Sequence, residues 1–158
     1  MRNTISYALF ATTTFAAIAC LTAAPTMPTF AAAPGNAAEP TPVEPDMHEF
    51  MEYVFQPSFK ALKPAMASEP ADKKGWFAIK SNSLILAEGG NLLLIREAQT
   101  DAEDWAKHSY EVRDYGGKLY RAAQAKDYTA AKKSYQSMVK SCNACHEQFA
   151  GGEHILTP

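Results

Sequence analysis

Apolar residues recur every three or four positions along most of residues 46–150, which is the spacing of one buried face of an α-helix. No segment keeps the apolar-polar alternation of a half-buried strand for long. The pattern predicts four helices, over residues 46–66, 71–96, 100–125 and 127–150. Because short connections join them, we expect an all-α fold, an antiparallel up-down-up-down four-helix bundle.

Capping residues support these boundaries. Asp46 and Asp127 stand just before the first and fourth apolar patterns, where a carboxylate can accept a free backbone N–H. Thr100 and Glu103 have the spacing of a capping box for the third helix. The pair Gly151-Gly152 follows the fourth pattern and predicts a left-handed stop.

Inside the helices, Pro57 predicts a kink or a break because proline lacks a backbone N–H. The pairs Gly89-Gly90 and Gly116-Gly117 predict either close approach of another group or a local bend. The predicted apolar stripe of the first helix is Met47, Met51, Val54, Ser58, Ala61 and Ala65, widened by Phe50, Phe55, Phe59 and Leu62. The predicted apolar content of the second is Phe77, Ile79, Leu84, Leu86, Leu93, Leu94 and Ile95.

Residues 1–33 have the layout of a secretory signal peptide. Arg2 precedes an apolar run over residues 5–24, and small residues follow at 31–33. We therefore expect export to the periplasm, with a retained membrane anchor as the alternative. A second alternative is lipid anchoring at Cys20, whose preceding residues faintly resemble a lipoprotein processing site.

The remaining chain divides by composition. Residues 34–45 are rich in proline and predict an extended linker, residues 46–150 form the helical domain, and residues 151–158 are a C-terminal tail. The formal net charge of −2 gives no basic surface for nucleic acid. We expect no nucleic-acid partner.

The fourth helix carries the only clear chemical motif, a C-x-x-C-H sequence formed by Cys142, Cys145 and His146. Cysteines three apart lie on one side of a helix, so both thiols can form thioethers with the vinyl groups of one haem. The adjacent histidine can then bind the iron as proximal ligand. The motif predicts one covalently attached haem c.

Paired cysteines have two other common uses in proteins. A zinc site needs four ligands, and the sequence has no second C-x-x-C or H-x-x-x-H pair. A dithiol oxidoreductase remains an alternative, although its cysteine pair usually follows a βαβ pattern. If residues 1–33 are removed, Cys20 is lost and only the two motif cysteines remain, which leaves none for a structural disulfide.

Four helices with C-x-x-C-H near the end of the last one resemble the cytochrome c′ family of exported haem proteins. The resemblance covers about residues 46–150 and implies a helical haem protein with thioethers at Cys142 and Cys145 and the proximal ligand at His146. Phe149 takes the place of the family's aromatic residue after the motif.

The chain departs from the family pattern at two positions. Ala150 stands where members often have a basic residue, and Met47 stands where many have an arginine that reaches a haem propionate. Other propionate partners would have to be basic residues elsewhere, with Lys80, Arg96 and Arg121 as candidates.

The sixth iron position depends on the first helix. The family's Pro-x-Asp connection is matched at Pro70, and counting back nineteen residues from it reaches Met51. Resemblance to electron-transfer members makes Met51 the candidate distal ligand, with core packing as the alternative. Met47 and His48 are further candidates, and in gas-binding members the position stays open.

We therefore expect an electron carrier that serves redox partner proteins and is not an enzyme. A five-coordinate haem protein that binds NO or CO is the second hypothesis, and the dithiol oxidoreductase is the third. A homodimer through the first two helices follows from family analogy alone. His108, on the interior stripe of the third helix, is expected to be a hydrogen-bonded core or haem-edge residue.

Overall fold

The computed structural model describes residues 39–158 except residues 97 and 99. Over these residues it contains four helices and no strand, in agreement with the predicted all-α class and consistent with a four-helix bundle. The helices are α1 at residues 47–65, α2 at Lys73–Leu94, α3 at Ala102–Ala125 and α4 at Tyr128–Phe149. None of these helices is long and apolar enough to span a membrane. The predicted signal peptide at 1–33, with Cys20, and the linker up to residue 38 lie outside the described residues.

Aspartate side chains cap three of the four helices at their N-termini. The Asp46 carboxylate accepts the Glu49 N–H at 3.0 Å, and the Asp127 carboxylate accepts the Ala130 N–H at 2.9 Å. These two predicted caps are confirmed. Asp72 caps α2 in the same way and was not predicted.

The capping box predicted at Thr100 is wrong. Helix α3 begins at Ala102, and its N-cap Asp101 makes no side-chain capping bond. The reason is the backbone, because Asp101 has a left-handed φ of 50°. A capping side chain reaches the free N–H groups from an extended N-cap.

Helix α1 has a wide turn near its middle. Its α-helical turn Met47–Phe50 leads into a π-helical segment Met51–Phe55, followed by the α-helical segment Gln56–Ala65. The Gln56 N–H donates to the Met51 carbonyl, five residues back. Pro57 comes next and has no N–H for an ordinary turn. The predicted break at Pro57 therefore takes the form of a π turn, and the helix continues through it.

The buried faces of α1 and α2 differ from the predicted stripes. The predicted stripe of α1 is wrong at Ala61, which is exposed, whereas Ser58 and Leu62 are buried as predicted. Phe77 and Leu84 are 64% and 39% exposed, although both were counted as apolar content of α2. The larger side chains that α2 buries are Trp76, Ile79, Ser83, Leu86 and Leu93.

One glycine of each pair lies where α2 and α3 approach each other closely. A Cβ on Gly90 would lie 2.7 Å from the backbone N of Arg113, and one on Gly116 would lie 3.0 Å from the Cα of Ala87. Both glycines are buried within unbroken helices. At these two positions glycine therefore permits close packing of the helices, as one of the two predicted alternatives required.

We expect Gly90→Ala to lower the free energy of unfolding by about 1–3 kcal/mol, because a new methyl group would push against the rigid backbone of α3. Gly117→Ala is the matched control. Its Cβ would meet only the mobile guanidinium of Arg121, at 3.3 Å, so better helix propensity should stabilise the protein by up to about 1 kcal/mol. Urea unfolding curves measure both; equal effects would contradict the close-packing explanation.

Candidate functional site

A cavity of about 400 Å³ collects the residues that the sequence assigned to a cofactor. All four helices and the C-terminal segment contribute to its lining. Cys142, Cys145 and His146 line it from α4, and Met51 lines it from α1. Folding thus brings the motif and the candidate distal ligand to one site.

Helix α4 presents the motif on its core-facing side. Met138, Cys142, Cys145 and Phe149 follow one another at intervals of four, three and four residues, and all four line the cavity. This spacing places them along one face of the helix. His146 is the next residue after Cys145 and lies half-buried at the edge of that face.

One hydrogen bond sets the protonation of the His146 ring. Its Nδ1 lies 3.0 Å from the carbonyl oxygen of His154. A carbonyl can only accept, so Nδ1 carries the proton and Nε2 keeps the free lone pair. Burial lowers the pKa of His146, and the nearby His154 ring lowers it further, while the hydrogen bond acts in the opposite direction. A neutral imidazole with a free Nε2 is the form that binds iron.

The two thiols are free and are not activated as nucleophiles. Burial raises the pKa of Cys142 to about 12, with the neighbouring Cys145 adding to the increase. Burial also raises the pKa of Cys145 to about 11. Reactive dithiol pairs have a lowered thiol pKa. The site therefore lacks the electrostatics of a thiol redox centre.

Helix α1 supplies the three residues proposed for the distal iron position. Met47 and Met51 are half-buried, His48 is exposed, and all three line the cavity. The His48 Nε2 lies 3.6 Å from a carboxylate oxygen of Glu52. The two thioether groups are thus less exposed to solvent than the imidazole.

The rest of the cavity wall is mainly apolar. Its apolar side chains, besides the residues named above, are Phe55, Phe59, Leu86, Leu93, Trp105, Val112, Ala150 and Leu156. The Trp105 ring stands perpendicular to that of Phe149 at 5.3 Å between centroids, and its indole N–H donates to the Leu93 carbonyl at 3.1 Å. An apolar cavity with two thiols and a neutral imidazole fits a covalently held haem.

The suggested propionate partners do not line this cavity. Lys80, Arg96 and Arg121 are all absent from its lining. The Arg96 guanidinium donates to the carbonyls of Leu92 at 2.6 Å and Glu44 at 3.1 Å. Among the described residues, the basic side chains at the cavity are the histidines His48, His146 and His154.

His108 is a hydrogen-bonded core residue, as predicted. It is 8% exposed, and its Nε2 lies 3.1 Å from the Gln148 Oε1. Gln148 in turn donates to the Asp104 carboxylate at 2.9 Å. This network joins α3 to the motif end of α4 without lining the cavity.

Residues 151–158 were predicted to be only a C-terminal tail, and their contribution to the cavity was not predicted. Glu153, His154 and Leu156 all line the cavity, and His154 supplies the carbonyl that binds His146. A histidine eight residues after the motif is a weak signal, because nothing local predicts that the chain turns back onto α4. The predicted left-handed stop is confirmed, with φ values of 62° at Gly151 and 78° at Gly152.

Residues 95–150 match the model of a family described as Cytochrome C'. The match covers α3 and α4 and includes the C-x-x-C-H motif. Neither a curated protein nor a solved structure gives a significant match. The family match supports the resemblance to cytochrome c′ and the interpretation of this chain as a c-type haem protein.

Proposed function

We propose that the protein is an exported electron carrier with one covalently attached haem c. The observation that carries this proposal is the apolar cavity on which Cys142, Cys145 and a neutral His146 converge, with Met51 on the α1 side. The family match supports the haem-protein part of it. The covalent linkage, the single haem, the iron ligands, export and the electron-carrier role go beyond the family match and are part of this proposal.

In this proposal each residue has a defined task. Cys142 and Cys145 would hold the haem through thioether bonds, and the Nε2 of His146 would bind its iron. When bound, the haem supplies a site that gains and loses one electron. The protein excludes water with its apolar wall and sets the reduction potential through burial and the axial ligands. No substrate bond is broken, so the protein is not an enzyme.

Met51 is the proposed distal ligand. Its half-buried thioether lies at the start of the π-helical segment, a kind of irregularity that is frequent at functional sites. A thioether ligand favours the ferrous state and raises the reduction potential relative to a second histidine. Met47 and His48 remain the other candidates on the same wall.

The proposed topology is the antiparallel up-down-up-down bundle. Position 87 of α2 lies close to position 116 of α3, and position 90 lies close to position 113. Because residue numbers rise along α2 while those of the paired residues fall along α3, the pairing supports helices that run in opposite directions. Short connections at 95–101 and 126–127 support the same arrangement.

The cellular setting is inferred from sequence. The layout of residues 1–33 supports a periplasmic location, with lipid anchoring at Cys20 as the alternative. Redox proteins of the same compartment are the proposed partners, whereas the net charge of −2 argues against nucleic acid. A homodimer is proposed from family analogy alone.

A second candidate function is capture of NO or CO by a five-coordinate haem. One observation favours it: Phe55, Leu86 and Val112 line the cavity and carry no atom that binds iron. If none of Met51, Met47 and His48 binds the iron, the sixth position would stay open to a gas molecule. The dithiol oxidoreductase is disfavoured by the raised pKa of both thiols.

The experiment that tests the proposal begins with peroxidase staining of the purified protein on a denaturing gel. We expect a haem signal that stays with the polypeptide, since thioether bonds survive denaturation. Absorption spectra in both oxidation states then separate the candidates: a low-spin spectrum supports the electron carrier, and a high-spin spectrum supports gas binding. A chain without covalent haem would reject both.

A further inference from the structure

The C-terminal segment 151–158 is anchored to two helices. Asn143, between the motif cysteines, donates from Nδ2 to the Leu156 carbonyl at 2.9 Å and accepts the Leu156 N–H on Oδ1 at 2.8 Å. One side-chain amide therefore pairs with both backbone groups of one residue. On α1, the Lys63 ammonium donates to the carbonyl and hydroxyl oxygens of Thr157 at 2.9 and 2.6 Å.

Between the end of α4 and Leu156, the backbone turns back over the motif. The Gly152 N–H donates to the His146 carbonyl at 3.0 Å, and both Gly151 and Gly152 have positive φ. His154 also has a left-handed φ, of 58°, which is uncommon for a residue with a side chain. With this backbone the His154 carbonyl lies 3.0 Å from the Nδ1 of His146.

We infer that Asn143 is a positioning residue for the proximal ligand. By holding Leu156, it keeps the His154 carbonyl against the His146 ring and so maintains the tautomer and the ring orientation. The inference rests on the proposed haem function. When one ring nitrogen of an imidazole binds a metal, a carbonyl that accepts a hydrogen bond from the other ring nitrogen makes the imidazole a more basic ligand. A more basic ligand favours the ferric state, so this contact lowers the reduction potential.

The test compares variants of the haem-loaded protein. Asn143→Leu has a similar size and cannot hydrogen-bond, so exchange of the Leu156 amide hydrogen should accelerate by about tenfold or more and the reduction potential should rise. Asn91→Leu is the matched control on an exposed face of α2, where the Asn91 amide donates to the Glu88 carboxylate. It should leave both quantities unchanged.

Lys63→Met loosens the segment from the α1 side and leaves the motif helix unaltered. It should accelerate exchange of the Leu156 amide hydrogen and raise the reduction potential, each by less than Asn143→Leu does. This variant keeps the inference testable if Asn143→Leu folds poorly. Faster exchange with an unchanged potential, or unchanged exchange, would overturn the positioning role. Absence of covalent haem in the unaltered protein would instead overturn the proposed function.

Discussion

The double variant Cys142→Ala, Cys145→Ala should carry no covalent haem and be largely unfolded. Without the cofactor, the folded chain must keep a cavity of about 400 Å³ open or collapse around it. At about 24 cal/mol per Å³, an enclosed empty cavity of this size would cost on the order of 10 kcal/mol, which is an upper bound because this cavity opens partly to solvent. Because a typical domain has a free energy of unfolding of only about 5–15 kcal/mol, most or all of the stability should be lost. Far-ultraviolet circular dichroism during thermal unfolding measures this.

The two single variants are the controls. Cys142→Ala and Cys145→Ala each remove a small side chain and leave one thiol, so each should keep a haem attached through one thioether and remain folded. Instability of the double variant would then report loss of the cofactor, since the two truncations alone remove little buried volume. A double variant that unfolds cooperatively with the stability of the unaltered protein would contradict the dependence of the fold on haem.

Met51→Leu should change the iron without changing the fold. Leucine has nearly the same volume, so the free energy of unfolding contributed by packing should change by less than about 1.5 kcal/mol. If the thioether binds iron, the unaltered ferric protein is low-spin with a weak near-infrared sulfur-to-iron band. The variant should become high-spin, bind CO faster and have a lower reduction potential. Absorption spectra and CO mixing experiments measure these changes.

Met47→Leu is the matched control, because Met47 is also half-buried and lines the same cavity. It should leave the spin state, CO binding and potential unaltered. A high-spin spectrum in the unaltered protein would reject Met51 as ligand and favour gas binding. A low-spin spectrum that Met51→Leu does not change would transfer the assignment to Met47 or His48.

Local sequence patterns predicted the parts of this protein that depend on neighbouring residues. The helical period indicated the four helices to within two residues at each end, and the Asp46 and Asp127 caps are confirmed, because a cap needs contacts only three residues away. The C-x-x-C-H motif can be recognised in the sequence for the same reason. Its two cysteines and histidine lie within one helical turn whatever surrounds them.

Long-range contacts decided what the sequence analysis missed or predicted wrongly. Phe77 and Leu84 are exposed because the orientation of α2 depends on its neighbouring helices, and Gly90 is explained only by the backbone of α3. The role of His154 depends on a turn back over α4 that Asn143 anchors. Periodicity and motif spacing thus determined the helices and the candidate chemistry by themselves. Only the tertiary structure decided which side chains meet at the cavity, because those contacts join residues far apart in the chain.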